Sequence, residues 1–470
     1  MPSQTAQRRR RAAQGRGSKE RRGPARRAGS APQQAPAGAP GGPTTVAVKV
    51  HPRPGLLGGR LRLQQLVLIE VAAALVAVGW TVDRMMAGIF AVPAALLVLL
   101  ALVPVRGRSL PEALRIRAAA RTRRREAPDK LPPAGTDPAL APVLELEPAL
   151  RTCTHATEAD LGGGRPVRRE TGMIGDGTFL TSVLLVQAKD QPLRPTRTAL
   201  PLPLDVICSA LRVDDIALES VQVVQHTQPA PAPHLPDQAL ATRAYQELRD
   251  GVTTPALRLT WVALKLDPER AATAVLARGG GEQGARKALQ RVTDQLAGRL
   301  NGAGFSATAL DERELIAALS IATCANPLAT AGRQGSASTA AGGSSPRRTQ
   351  ESSRFWRIDD RFHTTYWISK WPQLDRSGHG GRGVAAAELV NLATGTPALA
   401  SAFSLTAQAG TGDSVALSGH VRVVARSEGD AGRYGRQLEQ RAQGAGLGLS
   451  RLDQEQALGL LATLPLGGCA

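Results

Sequence analysis

The chain has 470 residues, with 58 Lys and Arg against 39 Asp and Glu, a formal net charge of +19, and only 3% aromatic residues. That length accommodates two or three domains with buried cores. The charge distribution excludes a nucleic-acid groove: residues 1–62 hold 14 bases and one acid, 105–125 hold eight and one, and everything beyond 125 is balanced at 35 of each. The 4 cysteines, Cys153, Cys208, Cys324 and Cys469, form no C-x-x-C pair, which argues against a disulfide framework or a zinc knuckle.

Residues 1–54 are rich in Arg, Pro, Gly and Ala, and lack the bulky apolar residues that offset ordering entropy. They read as a disordered basic tail. Within the segment 55–105 an apolar run of 45 residues extends from about Leu61 to Val105. As one helix it would be roughly 67 Å long, whereas a bilayer core is about 30 Å thick. The run therefore predicts two spans, 61–81 and 85–105, with Asp83 and Arg84 at a water-exposed membrane turn and Trp80 at the interface. A cleavable signal peptide is a poor fit, because the segment starts some 60 residues in and a second one follows directly. Arginines flank both outer ends, so both termini are expected in the cytoplasm of a bacterial plasma-membrane protein, with the arginine flanks attracted to anionic lipids. Glu70 is an intramembrane polar residue in this reading; a helix beginning nearer Leu66 would leave it shallow. Ala73 and Ala77 on one span, and Ala87, Ala91 and Ala95 on the other, have the spacing of a close helix contact.

Residues 106–127 predict a basic juxtamembrane helix, with Ser109 and Glu112 at capping-box spacing. A Pro-rich linker, 128–165, separates it from the soluble part. That part is written twice. "DGTFLTSVLLVQ" from Asp176 aligns with "DDRFHTTYWISK" from Asp359 at an offset of 183, and "RLNGAGFSATALDERELIAAL" from Arg299 aligns with "RAQGAGLGLSRLDQEQALGLL" from Arg441 at an offset of 142. Strands are expected at 179–188, 218–226, 257–266 and 305–310, with helices at 204–211 and 285–300 and a third from Asp311. The second copy gives strands at 362–370, 400–407, 415–425 and 447–452, and helices at 385–392, 434–442 and 454–464. The fold class expected is therefore α+β: two ferredoxin-like βαββαβ pseudo-repeats, each with an extra helix, anchored by the transmembrane hairpin. Lobe 1 occupies 166–328, a flexible linker 329–352, and lobe 2 353–466.

Catalytic signatures are few. The sequence contains no G-x-x-x-x-G-K-[ST] and no G-x-S-x-G. Asp214 and Asp215 are candidate ligands for a divalent metal, the basis of a rival reading as a membrane-tethered nucleotide-sugar-dependent transferase. Adjacent acids at a solvated turn are the commoner case. No cofactor is expected. The aromatic segment around "RFHTTYWISKW" places Phe362, Tyr366, Trp367 and Trp371 on or beside one strand, where they could stack sugars or bases. Without a basic patch nearby, they read instead as a partner-docking surface.

The order of "GRLRLQQLVLIE", the arginine-rich arm, "GDGTFLTSVLLVQ", "LRLTWVALKLDP" and "RFHTTYWISKWP" resembles the EccE component of actinobacterial type VII secretion systems. The resemblance implies a non-enzymatic structural subunit of a membrane core complex, partnered by EccB, EccC and EccD. The basic tail has no counterpart in it.

Overall fold

The computed structural model describes residues 48–50, 63–82, 84–102, 104–105, 108–133, 135–159, 167–189, 201–229, 238–240, 243–244, 255–337, 347–372, 386–410 and 414–468. Strand β1 is Val48–Val50, inside the stretch read as tail. The helices α1 (Leu63–Val82) and α2 (Arg84–Leu102) follow and pack on each other. Their buried small residues are Ala72, Gly79 and Ala94; the expected Ala73, Ala77, Ala91 and Ala95 are exposed, so the contact stripe is offset from the predicted one. Among the described residues no helix is long and apolar enough to cross a membrane. Side chains of this pair are described over 67–81, at 85 and over 88–99.

The small strands β2 (Pro104–Val105) and β3 (Arg108–Ser109) lead into α3 (Leu110–Glu126). Next come α4 (Ala141–Leu144), β4 (Arg151–Ala159), β5 (Val167–Gly175), β6 (Leu180–Ala188) and α5 (Leu204–Ser209). The chain continues with β7 (Arg212–Val213), β8 (Ile216–Ala217), β9 (Ser220–Pro229), β10 (Pro255–Leu266), α6 (Ala272–Ala277), α7 (Gly281–Gly302), β11 (Phe305–Ala309), α8 (Glu312–Thr323) and α9 (Pro327–Ala337). The remainder is β12 (Thr349–Glu351), β13 (Trp356–Ile358), β14 (Arg361–Lys370), α10 (Ala386–Thr394), β15 (Ala400–Ala409), β16 (Val415–Ala425), α11 (Glu428–Gly444), β17 (Gly448–Arg451) and α12 (Gln456–Ala462).

The chain from β4 onward is α+β around one large, mainly antiparallel sheet. In its first half the strands lie in the order β11, β6, β10, β9; in its second half they lie in the order β17, β14, β16, β15. All of these pairings are antiparallel. The halves meet where β9 pairs antiparallel with β15, Ser401 opposite Thr227 through Gln408 opposite Ser220. A hairpin precedes each half: β4 and β5 meet the start of β6, and β12 and β13 meet the start of β14.

Helices cover both faces, so the central strands are buried on both sides and carry β-branched runs rather than clean alternation. On one face, α5, α6 and α7 pack over β6, β9 and β10 through Ile207, Val275, Leu289, Val292 and Leu296. Beside them α10 and α11 pack over β14 and β16 through Leu389, Leu438 and Ala442. The opposite face is a single core drawn from both halves: α4, α8 and α12 cover Trp261, Val183 and Trp356 together. Shared sheet and shared core tie the two expected lobes together as one body.

Particular segments depart from the sequence expectations. Residues expected to be Pro-rich linker bury Leu140, Val143, Leu144, Leu146 and Leu150, because apolar side chains are interspersed among the prolines. In the second expected linker, Arg348 and Thr349 are buried and β12 joins the sheet; 338–346 lie outside the described residues. The alignment at offset 183 pairs Val183 with Tyr366, yet Val183 faces the shared core and Tyr366 the opposite face. The turn from β5 to β6 has four residues and that from β13 to β14 has two, an even difference that by itself preserves facing, so the opposite facing of aligned residues belongs to how each half is packed and not to the turn. The second alignment keeps its faces, with Leu319 and Leu461 both in the shared core.

Local signals explain the well-placed ends. Asp311 caps α8: its carboxylate accepts from Glu314 N at 2.8 Å, and Glu314 accepts from Asp311 N at 3.0 Å. The corresponding Asp453 does not cap α12. There Gln456 turns inward, donating to Leu452 O and accepting from Thr365 N.

Candidate docking site at the arm junction

Helix α3 brings the basic arm to the sheet edge through Arg123 and Arg124. Arg123, one turn from the helix end, donates to Glu351 Oε1 at 3.0 Å and to the Gln454 carbonyl at 2.6 Å. Arg124 reaches Gln454 Oε1 at 3.3 Å. The Glu351 side chain is only 5% exposed, so this pair is more than a surface ion pair in bulk water. Arg115, Arg117, Arg121 and Arg125 stay on the exposed side of the helix.

Beneath the arm lies a buried polar cluster. Glu145, 2% exposed, accepts from Arg348 N at 2.9 Å, Thr349 N at 2.9 Å and Thr349 Oγ1 at 2.6 Å. Arg348 forks onto Asp359 at 2.9 and 2.7 Å and donates to the Pro138 carbonyl at 2.7 Å. Arg347 bonds the carbonyls of Ala127 and Glu145. Burial pushes the Arg347 guanidinium below its usual range, while Glu145 and Glu351 pull it back up. Each buried charge thus has charged or carbonyl partners, the condition under which such a group is tolerated. What this arrangement does is mechanical: it fixes the direction in which the helical arm leaves the sheet. On the other side of the hairpin, β1 pairs parallel with β16, Val48 opposite Val415 through Val50 opposite Leu417.

Sequence reasoning treated these residues as lipid-facing arginines and as linker. The only available signal was the isolated acid–base spacing of Glu145, Glu351 and Asp359, which has no local periodicity.

The expected docking aromatics are dispersed. Tyr366 is buried in the core beneath α11, its hydroxyl filling the space where a side chain on Gly435 would stand. That burial takes it off the docking surface, and it raises the phenol well above its usual range. Trp371 packs half-buried on the same core, over Gly419. Phe362 and Trp367 are half-buried on β14. Glu70 is exposed on α1; Asp83 lies outside the described residues, and Arg84 is the first residue of α2.

Asp214 and Asp215 sit in the turn of the β7–β8 hairpin, with Asp214 at φ 52°. Each carboxylate is held by a guanidinium: Asp215 by Arg278 at 2.8 Å twice, Asp214 by Arg291 at 3.2 Å. The Arg278 bond holds the Asp215 carboxyl below its usual range. Among the described residues no group of three or more His, Cys, Asp or Glu could hold a metal ion.

No curated protein matches the chain. Residues 254–368, from β10 to near the end of β14, match the model of the EccE family, described as "Putative type VII ESX secretion system translocon, EccE". The matched segment contains "LRLTWVALKLDP" and most of "RFHTTYWISKWP", runs across the junction of the two halves, and supplies Glu351 and Asp359 to the arm junction. Over that segment the chain is similar to the EccE family of type VII secretion translocon components.

Proposed function

We propose that this protein is a membrane-anchored structural subunit of a type VII secretion core complex, and that it docks its neighbours through a cytosolic body. The observation that carries the reading is the arm junction. Arg123 and Arg347 fasten the segment following the α1–α2 hairpin to the sheet, so an anchor and a docking body share one rigid connection. In this reading α1 and α2 cross the membrane. Their 20 and 19 residues, not long and apolar enough for a crossing by themselves, belong to the apolar run 61–105 that supplies the two spans in this reading. Val71, Trp80, Ile89, Val92 and Leu96 are exposed along them, an apolar surface that water disfavours and lipid accepts. Both termini, and the exposed arginines of α3, then lie on the cytoplasmic side against anionic lipid.

Each half of the sheet is a ferredoxin-like unit in this proposal. Supporting it are the two matching strand orders and the extra helices α8 and α12 on the opposite face. EccB, EccC and EccD are the neighbours proposed, with Phe362 and Trp367 as the remaining aromatic contacts. The engagement of Asp214 and Asp215 by arginines weighs against the transferase alternative. Mild-detergent extraction followed by mass spectrometry of the companions tests the proposal: co-purification of the other core subunits is expected. Recovery of the chain alone from cells that assemble the rest of the complex would overturn it. A cysteine at position 83 should react with an impermeant thiol reagent from outside the cell; labelling only after lysis would overturn the two-crossing topology.

A further inference from the structure

On the shared-core face of the sheet, Arg422 of β16 is fully buried with no carboxylate beside it. One guanidinium nitrogen lies 3.2 Å from His363 Nδ1 and another donates to the Ala322 carbonyl at the end of α8; Nε has no partner. Because His363 Nδ1 faces a guanidinium donor, it accepts, and the ring proton sits on Nε2, which is also buried and unpartnered. Trp356 lies directly across from His363 on β13, 2% exposed, and its indole N–H has no partner. Thr365, the cross-strand partner of Arg422, has an unpaired buried hydroxyl. On the same face His226 accepts from Gln228 at Nε2, leaving its Nδ1 proton orphaned.

Each orphan here except the Thr365 hydroxyl, which can also accept, is an N–H donor, and the charged groups acting on His363 are the cations Arg422 and Arg361. Directly opposed antiparallel residues hold their Cβ atoms about 5 Å apart, so these donors share one patch. Buried unpaired donors in a native fold call for an occupant. Water would bring two protons of its own into a region already rich in donors; an anion brings acceptors and the missing negative charge. The geometry points to a buried binding site for one small monovalent anion, a halide such as chloride, between β13, β14 and β16 under the end of α8. Burial of Arg422, His363 and Trp356 selects a compact ion over a phosphate or sulfate. The site joins the second half of the sheet to α8 of the first, so occupancy would stiffen the junction between halves.

The test uses the full chain in mild detergent. Protein equilibrated in bromide, then passed into gluconate at equal ionic strength and denatured, should release about one bromide per chain by ion chromatography. Replacing chloride by gluconate should lower the melting midpoint by several degrees. His363→Phe and Trp356→Phe each remove one donor while keeping an aromatic ring. Both variants should lose retained bromide and the halide dependence of melting. Release of no bromide together with identical melting in chloride and gluconate would overturn the proposal. So would equal retention by wild type and both folded variants, which would mark the ion as held elsewhere.

Discussion

Gln222 is the polar residue on which the junction between halves depends most directly. It lies on β9, fully buried, with Thr406 of β15 as its cross-strand partner. Its amide nitrogen donates to Ser404 Oγ at 2.8 Å and to the Ala462 carbonyl at 2.9 Å, and its oxygen accepts from Gly467 N at 2.9 Å. One side chain thereby pins the second half and the C-terminal segment, which crosses back over the first half. Gln222→Met preserves volume but leaves the Gly467 N–H and the Ala462 carbonyl without partners. At about 1–3 kcal/mol for each buried group left unsatisfied, and with the tail able to relax toward water, the expected loss is about 3 kcal/mol. That is a sizeable part of a total stability of about 5–15 kcal/mol. Ser404→Ala is the control, since it spares both backbone bonds and should cost about 1 kcal/mol. Denaturant unfolding of the full chain in detergent, followed by tryptophan emission, measures both. If Gln222→Met is no worse than Ser404→Ala, the idea that this amide clamps the tail across the junction is wrong.

Four further outcomes follow from the same reasoning. Arg123→Glu should release α3 and speed proteolytic cleavage near 127–135, at a cost of about 1–3 kcal/mol, and adding Glu351→Arg should restore protection; no rescue by the double exchange would refute the pairing. Burial lowers His226 to about 3 and His420 to about 4, and burial with the Arg422 and Arg361 charges lowers His363 in the same direction. Each folded value lies below its unfolded one, so the stability these neutral histidines contribute is complete above about pH 6.5 and is lost as pH falls toward 4. The slope should approach about 1.4 kcal/mol per pH unit per histidine, and His420→Gln should reduce it; a flat profile from pH 7 to 4 would contradict this. Gly435→Ala displaces the Tyr366 hydroxyl and should cost about 1–3 kcal/mol as overpacking, read as a lower denaturant midpoint, whereas unchanged stability would deny the close approach. Asp215→Ala breaks only the exposed Arg278 pair, so melting should not change measurably, and magnesium titration should release no heat in either protein.

The physical scale of each signal decided what could be read in advance. Elements whose apolar spacing or β-branched run is continuous, such as α7 through Leu289, Val292 and Leu296 or β16 through Val421, Val423 and Val424, are written locally and were expected where they lie. The capping box at Asp311 is of the same kind. Face assignment on β14 failed because helices cover both of its faces, α11 over Tyr366 on one side and α12 on the other, and the alternation within one strand does not show how many of its faces are covered. Tyr366 accordingly went to the core instead of the surface.

The sequence by itself determined the α+β composition, the position of most strands and helices in both halves, and the segregation of positive charge to the hairpin flanks. Those properties depend on residues within one or two turns of each other. The tertiary structure alone decided that β9 meets β15, that Trp261 and Trp356 share a core, and that Arg123 is taken by Glu351 rather than left to solvent. Such contacts join residues about 100 to 330 positions apart, and their free energy depends on burial and complementary donors that exist only once the sheet has closed.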